Sequence, residues 1–143
     1  MMFASKEVSG IIIAGGGRTG CCLAEQLNIA DENVTVIDIN RESFNKFMPE
    51  FSGSTIEGDA SNIDVLRQAG ISHARAVISA TNNDNVNLMI AQIAREIYEV
   101  PIVIAMVNDS SLLSVKERFD FLILCPHWVM TQEVIKDLEK KEG

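Results

Sequence analysis

A glycine cluster that follows an apolar run constrains the fold of this chain more than any other feature. Residues 11–14 (Ile-Ile-Ile-Ala) lead directly into Gly15, Gly17 and Gly20, spaced as Gly-x-Gly-x-x-Gly. In a strand–turn–helix that holds a pyrophosphate, the first glycine allows the tight turn and the second lets the backbone approach the phosphates. The third lets the helix pack close to the strand. The phosphates lie at the helix start, where free N–H groups and the helix dipole favour negative charge.

The sequence around the glycines fits this interpretation. Residues 8–14 predict a buried strand, residues 21–27 have apolar side chains at helical spacing, and residues 33–38 predict a second strand. That second strand ends at Asp38, eighteen positions beyond Gly20. The acid that binds the adenosine ribose in dinucleotide folds comes about twenty positions later. Asp38 is therefore either a solvated acid or, as we favour, the ribose ligand.

Strands and helices continue to alternate along the rest of the chain. Further strands are predicted over 54–57, 75–80, 102–107 and 121–124, and helices over 41–47, 61–69, 85–98 and 110–118. The pattern predicts a Rossmann-like α/β fold, a doubly wound six-stranded parallel sheet in the order 3-2-1-4-5-6. We predict one domain over 1–143, with its core over about 8–125 and a C-terminal crossover helix within 126–143.

Two of the predicted helices have specific local signals. Ser61 followed by Asp64 resembles a capping box at the start of the helix over 61–69. Along the helix over 85–98, the apolar residues with helical spacing that predict its buried face are Val86, Ile90, Ile93 and Ile97.

Polar and glycine-rich loops follow the first four predicted strands, over 15–20, 38–41, 58–61 and 81–84. The carboxyl ends of parallel strands lie at one edge of a sheet, where open α/β folds bind ligands. The loops therefore predict a nucleotide site near the switch point between the first and fourth strands.

Composition limits the other functions open to the chain. The net charge of −8 and the lack of a basic patch argue against nucleic-acid binding. The longest apolar run, 100–107, is too short to insert in a membrane. Cys21, Cys22 and Cys125 indicate a reducing compartment, with no disulfide framework and no metal site. Cys21 is either packed behind the glycine loop or, near a helix start, a thiol of lowered pKa.

The residues that supply protons in dehydrogenases are poorly placed for catalysis. His73 is predicted in a turn, His127 follows the sixth strand, and Tyr98 has no lysine four positions later. None lies in a predicted nucleotide loop. We therefore expect no enzyme, and keep the cofactor domain of an NAD-dependent oxidoreductase as the alternative.

Three further motifs, together with the glycine loop, carry a family resemblance. They are residues 57–61 (Glu-Gly-Asp-Ala-Ser), 80–87 (Ala-Thr-Asn-Asn-Asp-Asn-Val-Asn) and 104–109 (Ile-Ala-Met-Val-Asn-Asp). In this order the chain resembles the TrkA-N nucleotide-binding domain, also called RCK or KTN, of potassium transport and channel regulators. The resemblance extends from about Val8 to Leu138.

The resemblance implies a set of cofactor-binding residues for NAD(H) or for ATP, ADP or AMP. They are Gly15, Gly16, Gly17, Arg18, Thr19 and Gly20 around the phosphates, Asp38 and Ile39 at the ribose, Asp59 and Ala60 beside the adenine, and Thr81 and Asn82 near the distal phosphates or the nicotinamide. Asp59 would reach the exocyclic amine. Asp84 and Asn87 either contact the ligand or shape the loop and cap the following helix.

The resemblance also implies partners and a location. Such domains lie on the cytoplasmic side of the inner membrane, attached to it through a membrane-embedded potassium transporter, and form homodimers or higher oligomers. The apolar stripe of the last helix, over 128–138, packs either on its own sheet or, as we favour, on a partner subunit.

Asp38 would repel the 2′-phosphate of NADP, although Arg41 lies near. NAD(H) and the adenine nucleotides share the adenosine half and remain alternatives.

Overall fold

The structure is a computed structural model that describes residues 10–142. Val8 and Ser9 of the first predicted strand lie outside this range. The described residues form the strands β1 (Gly10–Ala14), β2 (Val34–Asp38), β3 (Ser54–Glu57), β4 (Ala74–Ser79), β5 (Ile102–Met106) and β6 (Leu122–Leu124). The α-helices are α1 (Arg18–Ile29), α2 (Ile63–Gln68), α3 (Asp84–Gln92) and α4 (Pro126–Glu142).

All six described strands are parallel, and they lie in the order β3-β2-β1-β4-β5-β6. The predicted fold class is therefore confirmed. Strand β1 is central, and its Ile13 is in register with Val36 of β2 and Ile78 of β4. The apolar run of β1 follows from this position, because a central parallel strand is covered on both faces.

Two layers cover the sheet. On one face, Ile11 and Ile13 pack in a cluster that includes Leu23 of α1 and Phe44 of the β2–β3 connection. On the other face, Ile12 packs in a cluster with side chains of α2 and α3. The β1–α1 turn thus emerges between the layers, at the carboxyl edge of the sheet.

Three of the predicted helices are not entirely α-helical. Two of them are 3-10 helices: Arg41–Lys46, capped by the Asn40 side chain, and Ser110–Arg118, capped by the Asp109 side chain. Helix α3 ends at Gln92 and continues as a π-helical turn over Ile93–Ile97.

The predicted buried face of this third helix is wrong at its end. Ile90 is fully buried, but Ile97 is 57% exposed. The Tyr98 N–H donates to the Ile93 carbonyl at 3.3 Å, an i to i+5 bond. Such a bond widens the turn, so Ile97, which lies within it, leaves the stripe that an α-helix would keep buried.

The predicted cap at Ser61 is also wrong. Asn62 caps α2, because its Oδ1 accepts the Asp64 N–H at 2.8 Å. The Ser61 hydroxyl instead donates to Asp59 Oδ1 at 2.6 Å. Ser61 therefore belongs to the loop after β3 and not to the helix.

Helix α4 forms where the sequence predicts it, and none of its described side chains is buried. Its apolar stripe is open, with Met130, Val134 and Leu138 exposed by 61%, 53% and 57%. No helix among residues 10–142 combines the length and apolar character needed to cross a bilayer.

Candidate functional site

The glycine loop makes a close turn against the end of β4. Gly15 has a φ of +113°, and its N–H donates to the Ile37 carbonyl at 2.7 Å. A Cβ on Gly15 would overlap the Ala80 carbonyl, and one on Gly20 would overlap the Gly15 carbonyl. Glycine is required at both positions, because the loop, the helix start and β4 approach one another too closely for a side chain.

The carboxylate of Asp38 is held against this loop. Its Oδ2 accepts the Gly16 N–H at 2.7 Å, and its Oδ1 accepts the Asn40 N–H at 2.7 Å. Each carboxylate oxygen has a second acceptor position beyond these bonds. Asp38 can therefore accept hydroxyl groups from a ligand while it stays fixed to the backbone.

The loop after β3 presents a second carboxylate. Asp59 Oδ1 accepts the Ser61 hydroxyl at 2.6 Å and the Ser61 N–H at 2.9 Å. These hydrogen bonds, the side-chain one first, hold the pKa of the Asp59 carboxyl below its ordinary value of 3.8. The adjacent Ala60 is buried. The loop thus combines an anionic acceptor with a small apolar surface.

The loop after β4 is fixed by a buried asparagine, Asn87 of α3, which is 1% exposed. Its Oδ1 accepts the Thr81 N–H at 2.9 Å and the Thr81 hydroxyl at 2.6 Å. Its Nδ2 donates to the carbonyls of Thr81 at 3.1 Å and Met106 at 2.8 Å. Asn87 therefore ties the loop after β4 to the end of β5.

Asp84 also shapes a loop, as one of the two interpretations of these side chains states. Its carboxylate accepts the N–H groups of Asn108 at 2.8 Å and Asp109 at 3.0 Å. Neither Asp84 nor Asn87 caps α3, because Asn83 Oδ1 accepts the Val86 N–H at 3.0 Å and performs that function.

These loops surround a cleft of about 500 Å³. Eight of the predicted binding residues line it: Gly15, Gly17, Asp38, Ile39, Asp59, Ala60, Thr81 and Asn82. A smaller hollow of about 170 Å³ shares Thr81 and Asn82, and Arg18 and Thr19 line it. Gly16 and Gly20 line neither space. They contribute through the backbone contacts described above.

Several lining residues are absent from the sequence-based prediction. Ser43 and Lys46 line the main cleft from the 3-10 helix, and Asn108 and Pro126 line the smaller hollow. The sequence contains one signal for Ser43 and Lys46: they lie three positions apart, shortly after Asp38. Histidine and tyrosine are missing from the described lining of both spaces.

The interpretation of Cys21 as a thiol of lowered pKa is wrong. Cys21 is buried, and this burial, followed by the charge of Glu25, raises the pKa of its thiol. Cys125 is also buried, whereas Cys22 is exposed. Cys21 packs behind the loop, as the alternative interpretation stated.

Comparison with known sequences identifies the family. The model of the TrkA-N domain matches residues 11–122. The Trk system potassium uptake protein TrkA of Streptomyces coelicolor is 36% identical over 108 residues, covering 76% of this chain and 48% of that protein. TrkA of Halomonas elongata is 31% identical over 135 residues, 90% of this chain and 30% of that protein. The chain thus spans half or less of these two relatives.

Solved structures agree in fold. The TrkA-N domain of the inner membrane protein ybaL from Escherichia coli superposes with a TM-score of 0.79 at 20% identity, covering 92% of this chain and 97% of that one. The GsuK channel bound to NAD gives 0.75 at 27% identity, covering 95% and 24%. GsuK bound to ADP gives 0.73 at 27%, covering 96% and 36%. This chain belongs to the TrkA-N domain family.

Proposed function

We propose that this chain is a nucleotide-binding regulatory domain of a potassium uptake or transport system, and that it binds NAD(H) or an adenine nucleotide without catalysing a reaction. One observation carries the proposal. The glycine loop, Asp38, the Asp59 loop and the Thr81 loop, from four strand ends, meet in one cleft. Its chemistry fits an adenosine nucleotide better than it fits a metal ion or a macromolecule.

Each part of such a ligand has a complementary group. The phosphates bind at the start of α1, which has no acidic residue in its first turn to oppose them. Asp38 accepts the ribose hydroxyls, and the Asp59 carboxylate accepts an N–H of the adenine amine. Arg18 provides a planar, bidentate donor for a phosphate at the smaller hollow.

A regulatory role fits the cleft better than an oxidoreductase role. Its described lining lacks the histidine or tyrosine that commonly moves the proton in hydride-transfer enzymes. The TrkA proteins, to which the chain is similar, are potassium uptake proteins by name, and GsuK is a channel by name. We place this domain at the cytoplasmic side of the inner membrane, attached through a transporter subunit.

The ligand state reaches the partner through α4. The smaller hollow extends from Arg18 and Asn82 to Pro126, the first residue of that helix. A ligand that fills this hollow contacts the base of α4, and one that leaves it empty does not. Such a difference in contacts shifts the balance between two orientations of the helix.

Two open apolar surfaces support assembly as a homodimer or higher oligomer. One is the stripe of α4 that contains Met130 and Val134. The other is the β5–β6 part of the α1 face of the sheet, where Ile102 is 48% and Leu122 50% exposed. Surfaces of this kind are usually covered in an assembly. Light scattering should therefore show a dimer or larger species, which Val134→Glu dissociates and the polar control Glu133→Gln does not.

The test of the proposal is a calorimetric titration with NADH, NAD⁺, ATP, ADP and AMP. At least one should bind, and Asp38→Ala should weaken it by about tenfold or more, because two hydroxyl contacts to a charged acceptor are lost. Asp31 is an exposed acid two residues beyond α1, with a φ of +67° that asparagine tolerates, so the control Asp31→Asn should bind like the wild type. Failure of all five nucleotides to bind would refute the proposal.

A further inference from the structure

The charge of the main cleft opposes the ligand proposed for it. Two lining residues, Asp38 and Asp59, are carboxylates, and the chain carries a net charge of −8. A nucleotide brings further negative charge, so a basic group at the cleft strengthens its binding. Arg18 borders only the smaller hollow. Among the described lining residues of the main cleft, Lys46 is the one basic side chain.

Lys46 belongs to a firmly anchored segment. The Asn40 side chain accepts the Glu42 N–H at 3.0 Å, and the Asn40 carbonyl accepts the Ser43 N–H at 3.0 Å. Phe44 packs into the core beneath α1. A 3-10 helix has three residues per turn, so Ser43 and Lys46 lie above one another on the same face. Both line the cleft.

This face lies beside the glycine loop. A Cβ built on Gly16 would lie 3.4 Å from the Ser43 Cβ and 3.3 Å from Asp38 Oδ2. The charge of Lys46 also acts on Cys21 in α1, whose thiol pKa burial raises and Lys46 partly lowers. Lys46 thus lies on the ribose side of the loop, near the helix where the phosphates are expected. No carboxylate of the described residues forms an ion pair with it.

We propose that Lys46, together with the Ser43 hydroxyl, binds a phosphoryl group of the nucleotide from the ribose side of the cleft. It is a second cationic contact, in the main cleft, whereas Arg18 borders the smaller hollow. This inference rests on the proposed nucleotide function. It assigns part of the affinity for the charged part of the ligand to a segment outside the glycine loop.

The experiment compares Lys46→Gln with Lys116→Gln, which removes the charge of an exposed lysine that lies in another 3-10 helix, Ser110–Arg118, and does not line the cleft. Both variants are titrated calorimetrically with adenosine, AMP, ADP and 2′-AMP at low salt. Lys46→Gln should weaken at least one phosphorylated ligand by about tenfold, the effect of one exposed charge-assisted hydrogen bond, and adenosine by less than about twofold. Ser43→Ala should show a smaller loss for the same ligand.

The ligand that loses most identifies the phosphoryl group. A larger loss for ADP than for 2′-AMP assigns Lys46 to the 5′ phosphates, and the reverse assigns it to a phosphate on the ribose. Equal behaviour of Lys46→Gln and Lys116→Gln with every ligand that the wild type binds would overturn the inference. A wild-type protein that binds none of these ligands would instead refute the nucleotide function itself.

Discussion

Replacement of Asn87 by alanine tests how the cleft is held together. The substitution removes four hydrogen bonds, two from Thr81 to Oδ1 and two from Nδ2 to the carbonyls of Thr81 and Met106. A hydrogen bond contributes about 1 kcal/mol net, so the sum is about 4 kcal/mol. Thr81 is partly exposed, and water replaces some of what it loses. Alanine also favours the helix by about 0.5 kcal/mol.

The expected loss of unfolding free energy for Asn87→Ala is therefore about 3 kcal/mol, a fall in melting temperature of about 10 °C for a domain of this size. Urea unfolding at one fixed protein concentration measures it, since assembly makes stability depend on concentration. Asn85→Ala is the matched control. Asn85 is exposed on the same helix, and its replacement should change stability by no more than about 0.5 kcal/mol. An Asn87→Ala variant within about 1 kcal/mol of Asn85→Ala would refute the assigned network.

Other substitutions test further parts of the account. Gly20→Ala should lower the free energy of unfolding, measured by thermal unfolding, by about 3 kcal/mol or more, because its methyl group would overlap the Gly15 carbonyl. Gly17→Ala has free space for its methyl group, so it should keep its stability while binding nucleotide more weakly. The lowered pKa of Asp59 contributes stability that is present above pH 3.8 and is lost as the pH falls through the folded-state value. Ser61→Ala should therefore make urea unfolding less pH-dependent below pH 3.8, and an unchanged profile would contradict the Ser61 contacts. Iodoacetamide should modify Cys22 alone in the folded protein, as read by mass spectrometry, because Cys21 and Cys125 are buried.

The strand order and the position of the cleft could be predicted because both depend on the alternation of strands and helices along the whole chain. An apolar strand such as β1 is buried on both faces of the sheet. When such strands alternate with helices along the chain, few sheet topologies are possible. The same order brings Asp38, Asp59 and Thr81 to one edge of the sheet, wherever the helix boundaries lie. The alternation in the sequence therefore contained enough information to predict the cleft.

The details that escaped prediction depend on contacts distant in sequence or on small local differences. Serine and asparagine are both favoured as helix caps. Asn62 caps α2, whereas the Ser61 hydroxyl donates a hydrogen bond to Asp59. Ser43 and Lys46 reach the cleft because their segment is a 3-10 helix, whereas an α-helix would have separated their directions further. Ile97 lies outside the buried stripe because of one π-helical turn.

The most direct measurement is a map of amide chemical shifts in the ¹⁵N-labelled protein during titration with NADH and with ADP. Saturable shifts should be concentrated in the segments that contain the lining residues: 15–20, 38–46, 58–61 and 81–83. Smaller shifts are expected at Asn108 and at His127, which follows Pro126 where the smaller hollow meets α4. Binding with shifts centred elsewhere, or no saturable shift with either nucleotide, would contradict the assignment of this cleft as the nucleotide site.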